Sequence, residues 1–359
     1  MEEKSENEHI LNNYRESREA SSSNLRNSYF SKQNILIGVI SLIAIAAIIS
    51  LILVIVLRGS SSSSEEKIAT GIISCIYDIK TNLNETKILG DDFTKSSEFN
   101  IFINGNKIKF SKVYKFPKNG INKVEFKLYN SLNMSYMFKD VTSLKSVEMI
   151  SSYEEKILSM SNTFENCINM ESILISGFSA NELKTMKKLF YNTNLKIINL
   201  IIFDTNNVKD ISYMFVSTPQ EELEFPSINT ENVVDMSYLF SNSSSLKRLY
   251  LTKLNISKAE NISHMFEGLN LIDKLDLSNF ETNSVKDMSY MFKNCESLKE
   301  INLLNFNTEK VEYMSNMFKS LYSLTSIDVS SFNTKNIKDM SSMFQGCTNL
   351  KVLNISFDT

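Results

Sequence analysis

The stretch Asp287-Met288-Ser289-Tyr290-Met291-Phe292-Lys293-Asn294-Cys295-Glu296-Ser297-Leu298-Lys299-Glu300-Ile301-Asn302-Leu303-Leu304-Asn305-Phe306 recurs, with varying fidelity, from residue 131 to residue 359. The Phe of its M-S-x-M-F core falls at Phe138, Phe164, Phe190, Phe215, Phe240, Phe266, Phe292, Phe318 and Phe344. The intervals are 26, 26, 25, 25, 26, 26, 26 and 26 residues. Such regularity defines a repeat array: one unit cannot bury its apolar side chains alone, so stacked neighbours must supply the core.

Two periodicities share each copy. Met288, Met291, Phe292 and Cys295 stand at i, i+3, i+4 and i+7, the spacing of one helix face. Asp287 precedes them, and Asp210, Asp235 and Asp339 hold the same slot, where a carboxylate accepts from the free N–H groups of a helix's first turn. Leu298-x-x-Ile301-x-Leu303 then alternates like a short strand, closed by Phe306 and an Asn307-Thr308 turn. A period in this range with an L-x-x-L-x-L order predicts an α/β leucine-rich-repeat solenoid, with a parallel sheet on one face and short helices on the other. Its core is expected to be ladders, slot upon slot. The nine Phe form one. Phe178, Phe203, Ile228, Leu254, Phe280, Phe306, Phe332 and Phe357 form a second, and Val208, Val233, Val285, Val311 and Ile337 a third. At about 4.8 Å per parallel strand the array spans roughly 43 Å.

The chain ahead of the array reads in segments. Residues 1–34 are polar without an apolar period, as in a disordered cytosolic tail. Residues 35–57 carry no charge, and at about 1.5 Å per residue a helix there reaches about 34 Å, enough to cross a hydrocarbon core of roughly 30 Å. A cleaved signal has a shorter apolar core and a small-residue cleavage site, so a retained transmembrane helix, in contact with membrane lipid, is expected at 35–57. Arg15, Arg18, Arg26 and Lys32 precede the span, while Arg58 and Lys67 follow it. This bias predicts a single-pass protein of the plasma membrane or cell surface, with a cytosolic N-terminus and an extracellular C-terminus. Residues 58–64 are a Ser-rich linker. Residues 65–130 lack the repeat and predict a small β cap module. There Phe99, Ile101 and Ile103 alternate, Asn104-Gly105 marks a two-residue turn, and Val124, Phe126 and Leu128 supply another strand. The nine repeats fill 131–359. Because the sequence stops at Phe357-Asp358-Thr359, within a turn leading to another unit, a longer protein is expected, the alternative being an open end covered by another chain.

The net charge of −3 gives no basic field, so nucleic acid is not an expected partner. The two histidines are His9, in the tail, and His264, in the x slot of the M-S-x-M-F core. That slot otherwise holds Tyr136, Asn162, Lys188, Tyr213, Tyr238, Tyr290, Asn316 and Ser342, a mixture that reads as a solvated helix face. With no nucleophile elbow either, no catalytic residue, cofactor or metal is expected, and the chain is not read as an enzyme. Cys167, Cys295 and Cys347 each follow a repeat Phe by three. Cys295 and Cys347, two units apart, stand about 9.6 Å from each other by strand spacing, beyond the ~7 Å limit for a disulfide. All three, like the Met ladder, read as core, and Cys75 has no evident partner.

The outward face of the sheet remains. Between the two strand aliphatics run Glu148, Leu174, Asn199, Glu224, Tyr250, Asp276, Asn302, Asp328 and Asn354. The partner-binding candidates among them are Glu148, Asn199, Glu224, Tyr250, Asp276, Asn302 and Asp328. Ile197, Ile201, Leu304 and Val352 flank them, more apolar than solubility requires. Asp276 and Asp328 with Asn302 between offer oxygens to a Ca²⁺ but lack a ligating loop. N-x-S/T triplets make Asn84, Asn133, Asn242, Asn255 and Asn261 glycosylation candidates; Asn354 heads another but lies on a strand.

The units D-M-S-Y-M-F-K-N-C-E-S-L-K-E-I-N-L-L-N-F-N-T (287–308) and N-F-E-T-N-S-V-K-D-M-S-Y-M-F (279–292) resemble BspA-type leucine-rich-repeat surface proteins of bacteria and protists, over about two thirds of the chain. The resemblance implies a cell-surface solenoid used in adhesion or protein binding, without enzymatic activity. Some members are lipoproteins; here no Cys lies near the apolar span, which leaves the helix as the anchor. The expected function is a non-enzymatic surface protein whose extracellular solenoid binds proteins or glycans. The alternative is a structural coat component that packs laterally without a soluble ligand.

Overall fold

The computed structural model describes residues 69–81, 84–95, 97–151, 155–201 and 203–356. The segments 1–34, 35–57 and 58–64, and with them the expected membrane anchor, lie outside the described residues, as does Phe357. Among the described residues no helix is long and apolar enough to cross a membrane.

Strands β1 (Gly71–Ile79), β2 (Thr86–Lys87), β3 (Phe99–Ile103), β4 (Asn106–Ile108), β5 (Val113–Tyr114) and β6 (Gly120–Leu128) precede the repeats. The coils contribute β7 (Leu132–Asn133), β8 (Leu144–Ser151), β9 (Ile157–Ser159), β10 (Ser172–Ser176), β11 (Ile197–Ile201), β12 (Glu222–Glu224), β13 (Arg248–Tyr250), β14 (Ser326–Val329) and β15 (Val352–Ile355). The main sheet is ordered β11-β10-β8-β1-β6-β3-β4. Its coil strands are parallel, with Ser172 opposite both Ser146 and Ile197, so the register reproduces the sequence period. β1 enters antiparallel between β8 and β6, which makes the segment before the repeats an extension of the coil sheet. Along β1, Ile73, Cys75, Tyr77 and Ile79 are buried while the residues between them face outward. A hairpin joins β3 to β4, with Ile103 opposite Asn106. Its two turn residues, Asn104 and Gly105, sit at φ 47° and 86°, the left-handed pair that such a connection needs.

The repeats correct the expected fold. The chain is a β-solenoid, and among the described residues there is no helix, so the α/β leucine-rich-repeat reading fails. The reason is visible at Tyr290 and Asn294, which stand at φ 61° and 60°. Every coil repeats this pair of left-handed residues, from Tyr136 and Asp140 to Ser342 and Gly346, and a right-handed helix cannot pass through them. The N–H groups of Met291, Lys293 and Cys295 reach three residues back, to the carbonyls of Met288, Tyr290 and Phe292. Those of Met288, Tyr290, Phe292 and Asn294 instead donate to Tyr313, Ser315, Met317 and Lys319 of the next coil, at 2.8, 2.9, 3.0 and 2.9 Å. Positive φ at the third residue of an i→i+3 turn is type II geometry. Asp287 is likewise no helix cap: its Oδ1 accepts from Ser289 N–H at 2.8 Å and closes an Asx turn.

Burial nevertheless follows the spacing, since Met288, Met291, Phe292 and Cys295 are all sealed from solvent. The nine Phe rings stack from Phe138 to Phe344, with successive centroids 5.5, 6.0, 5.7, 5.9, 6.0, 5.6, 5.8 and 5.5 Å apart. Phe126 of β6 meets Phe138 edge-on at 5.6 Å and carries the same core into the segment before the repeats. The second ladder is buried from Phe178 to Phe332, and the third from Val208 to Val311, with Ile337 half-buried.

Candidate interaction surface

The outward face is built by pairing. Phe102, Glu125, Ser74, Glu148, Leu174 and Asn199 lie opposite one another in turn across β3, β6, β1, β8, β10 and β11. Glu224 lies opposite Tyr250, and Asp328 opposite Asn354. The row of candidates therefore extends beyond the repeats, onto residues the repeat pattern does not reach. Lys127 caps the Phe102 ring at 4.2 Å and Lys123 pairs with Glu125 at 2.6 Å.

The candidates differ along this row. Glu148 is half-buried, and burial raises its carboxyl above the usual range against a smaller opposing pull from Lys123. Leu174 is buried. Asn199 lies on β11, but its side chain is outside the described ones. Glu224 is exposed and paired with Lys253 at 2.8 Å, and Tyr250 beside it is 47% exposed. Asp276, Asn302 and Asp328 are exposed, yet each accepts from the N–H two residues on: Ser278 at 3.1 Å, Leu304 at 3.1 Å and Ser330 at 2.9 Å. Asp328 also takes the Ser330 hydroxyl and the Asn354 amide. These oxygens are engaged in local turns, and the side chains beside them supply the open apolar surface. Leu304 is 82% exposed and Val352 51%.

A second feature corrects the reading of the x slot. Tyr213, Tyr238, His264 and Tyr290 are not a solvated helix face. Their rings stack at 4.4, 4.0 and 4.4 Å and lie within 9° of parallel. Lys188 sits over Tyr213 at one end, and Lys293 over Tyr290 at the other. His264 Nδ1 lies 2.5 Å from Glu267, whose second oxygen accepts from Lys293 at 2.9 Å. Burial pushes Glu267 up, but the hydrogen bonds from His264 and Lys293 outweigh it and hold the carboxyl below its usual range. Burial, then Tyr213 and Glu267, push the Tyr238 hydroxyl up to about 12. The signal was present in the sequence: aromatic residues in the same slot of four consecutive coils must meet face to face, because coil spacing is close to ring-stacking distance.

The cysteines are free thiols. Cys167, Cys295 and Cys347 donate to the carbonyls of Phe138, Phe266 and Phe318 in the preceding coil at 3.0, 3.1 and 3.0 Å. Burial pushes Cys295 up to about 12, so these thiols are inert fillers of the ladder. Of the sequon residues, Asn84, Asn242 and Asn255 are exposed, while Asn133 and Asn261 are half-buried and close Asx turns onto Ser135 and Ser263.

The sequence profile of the family described as "Mycoplasma protein of unknown function, DUF285" matches residues 107–221, 132–253, 184–274 and 263–359. The chain belongs to this family. The overlapping matches reflect the internal repeat, and they begin within the segment before it. No curated protein and no solved structure was found to match the chain.

Proposed function

We propose that this DUF285-family solenoid is a non-enzymatic surface protein that binds extracellular proteins or glycans through the outward face of its sheet, in adhesion or recognition. What supports the reading is the row of side chains that runs in register from Phe102 through Glu125 and Ser74 to Glu148, together with the exposed Tyr250 of β13 and Leu304 of a later turn. Exposed aromatic and aliphatic groups among paired charges have the composition of a binding patch. The BspA resemblance points the same way. Anchoring through residues 35–57, an extracellular repeat array and glycan at the exposed sequons rest on sequence alone and belong to the same proposal.

The test is binding of the purified repeat region to candidate partner cells, competed by excess unlabelled protein. Competition that is lost in a Tyr250→Ala/Leu304→Ser variant of unchanged stability is the expected result. Self-association without cell binding would replace the reading with that of a laterally packed coat.

A further inference from the structure

We infer that a polar cleft of about 400 Å³, where the end of β1 meets the turns of the first coils, holds a neutral saccharide unit. The inference rests on the binding reading above and narrows its ligand to a glycan. Each wall comes from a different part of the chain: Asp78 from β1, Thr86 from β2, Thr142 and Lys145 from the entry to β8, Glu171 from the entry to β10, and Asn194 ahead of β11. The volume lies within the usual range for small-ligand sites, roughly 300–1,000 Å³.

Within the lining itself, Asp78 and Glu171 balance Lys80 and Lys145. Asp78 pairs with Lys80 at 2.5 Å, and Glu171 with Lys196 at 3.8 Å. Lys145 faces Asp78 without forming an ion pair among the described residues. Lys196 stands outside the lining, so the cleft and its rim carry one positive charge in excess at most, too little to select an ion over a neutral ligand. The polar groups, in contrast, are available. The hydroxyls of Thr86 and Thr142, the Asn194 amide and the Lys145 ammonium make no hydrogen bond within the described residues. Asn169 donates its Nδ2 to Thr142 O at 2.8 Å, which leaves its Oδ1 as an acceptor. A ligand whose groups both donate and accept, one hydroxyl per carbon, satisfies such a mixture, whereas an apolar side chain would strand it. The cleft has no aromatic wall, so a single sugar should bind with a Kd on the order of 1 mM, and tighter binding must come from an extended glycan.

The test is saturation-transfer NMR on the full chain in detergent micelles, with glucose, galactose, mannose and N-acetylglucosamine as probes and N-acetylneuraminate as the charged control. At least one neutral sugar should receive saturation. That signal should fall at least fivefold in Asn194→Ala and in Thr142→Val, with the thermal transition unchanged. The inference is overturned if no neutral sugar is saturated, if only the charged sugar is, or if the signal survives both substitutions. Cell binding that is competed by unlabelled protein but indifferent to these substitutions removes the cleft and leaves the broader reading standing. Absence of any cell binding removes the broader reading, whatever the sugars do.

Discussion

Replacing Gly268 by Ala decides between a coil of tandem turns and a helix, because the two assign opposite signs to it. Gly268 stands at φ 75°, where a residue with a Cβ pays roughly 1–2 kcal/mol. The added carbon would also lie 2.7 Å from Asn242 Oδ1, so that side chain must move aside. Lost freedom in the unfolded chain returns about 0.4–1 kcal/mol. The net expectation is a loss of about 1 kcal/mol or more. In a helix interior the same change would gain about 1 kcal/mol. Ser320 occupies the matching slot two coils on, at φ 62°, and its hydroxyl makes no hydrogen bond among the described residues. Ser320→Gly should therefore stabilise by about 0.5–1 kcal/mol after the same unfolded-state correction, where a helix would lose about 0.5 kcal/mol. Urea titrations followed by far-ultraviolet circular dichroism and tyrosine fluorescence read both midpoints. A raised midpoint for Gly268→Ala together with a lowered one for Ser320→Gly would refute the turn geometry.

Three further outcomes follow from named contacts. Phe266→Ala removes a sealed ring that touches Phe240, Phe280 and Phe292, and should cost about 3–5 kcal/mol in the same titration; a loss under about 1 kcal/mol would mean that the ladder is not packed. Glu267 titrates below its usual value when folded, so its stabilisation is present above the unfolded pKa near ~4.3 and is lost as pH falls through the folded one. Glu267→Gln should lower the melting temperature at pH 7, with the gap to wild type closing below about pH 4. Glu148 has the opposite sign. Its raised pKa means that the folded chain holds its proton more tightly, so stability declines as pH rises from about 4.3 through the folded value. Glu148→Gln should melt above wild type at pH 7 and together with it in acid; a variant less stable at pH 7 would contradict a carboxylate disfavoured by its burial.

What could be read from the sequence depends on which physical quantity each pattern encodes. The period and the inward side chains were legible, because burial repeats with the coil whatever the backbone does between. Met288, Met291, Phe292 and Cys295 are the case in point: tandem type II turns bring i, i+3, i+4 and i+7 inward as surely as a helix does. The cue that separates them is the slot two after each repeat Phe. In six of the nine coils it holds Asn or Gly (Asn166, Asn192, Asn242, Gly268, Asn294 and Gly346), the residues that best tolerate left-handed backbone, and in the other three Asp140, Ser217 and Ser320. The x slot hides the same conformation behind Tyr, His and Lys, which enter it only because bonds to the next coil and ring stacking hold them there. β1 was harder to see. Its outward Ile72 and Ile76 are as apolar as the inward Ile73 and Ile79, so alternation is blurred where the strand lies between two neighbours. The cleft was not legible at all. Thr86, Thr142 and Asn194 carry no motif, and neither a period nor a local spacing relates them. Thr142 and Asn194 meet because β1 pairs with β8 and the coils stack at 25 or 26 residues, which places the entry turns of three strands around the end of a fourth, and Thr86 joins them from β2, which pairs with β5.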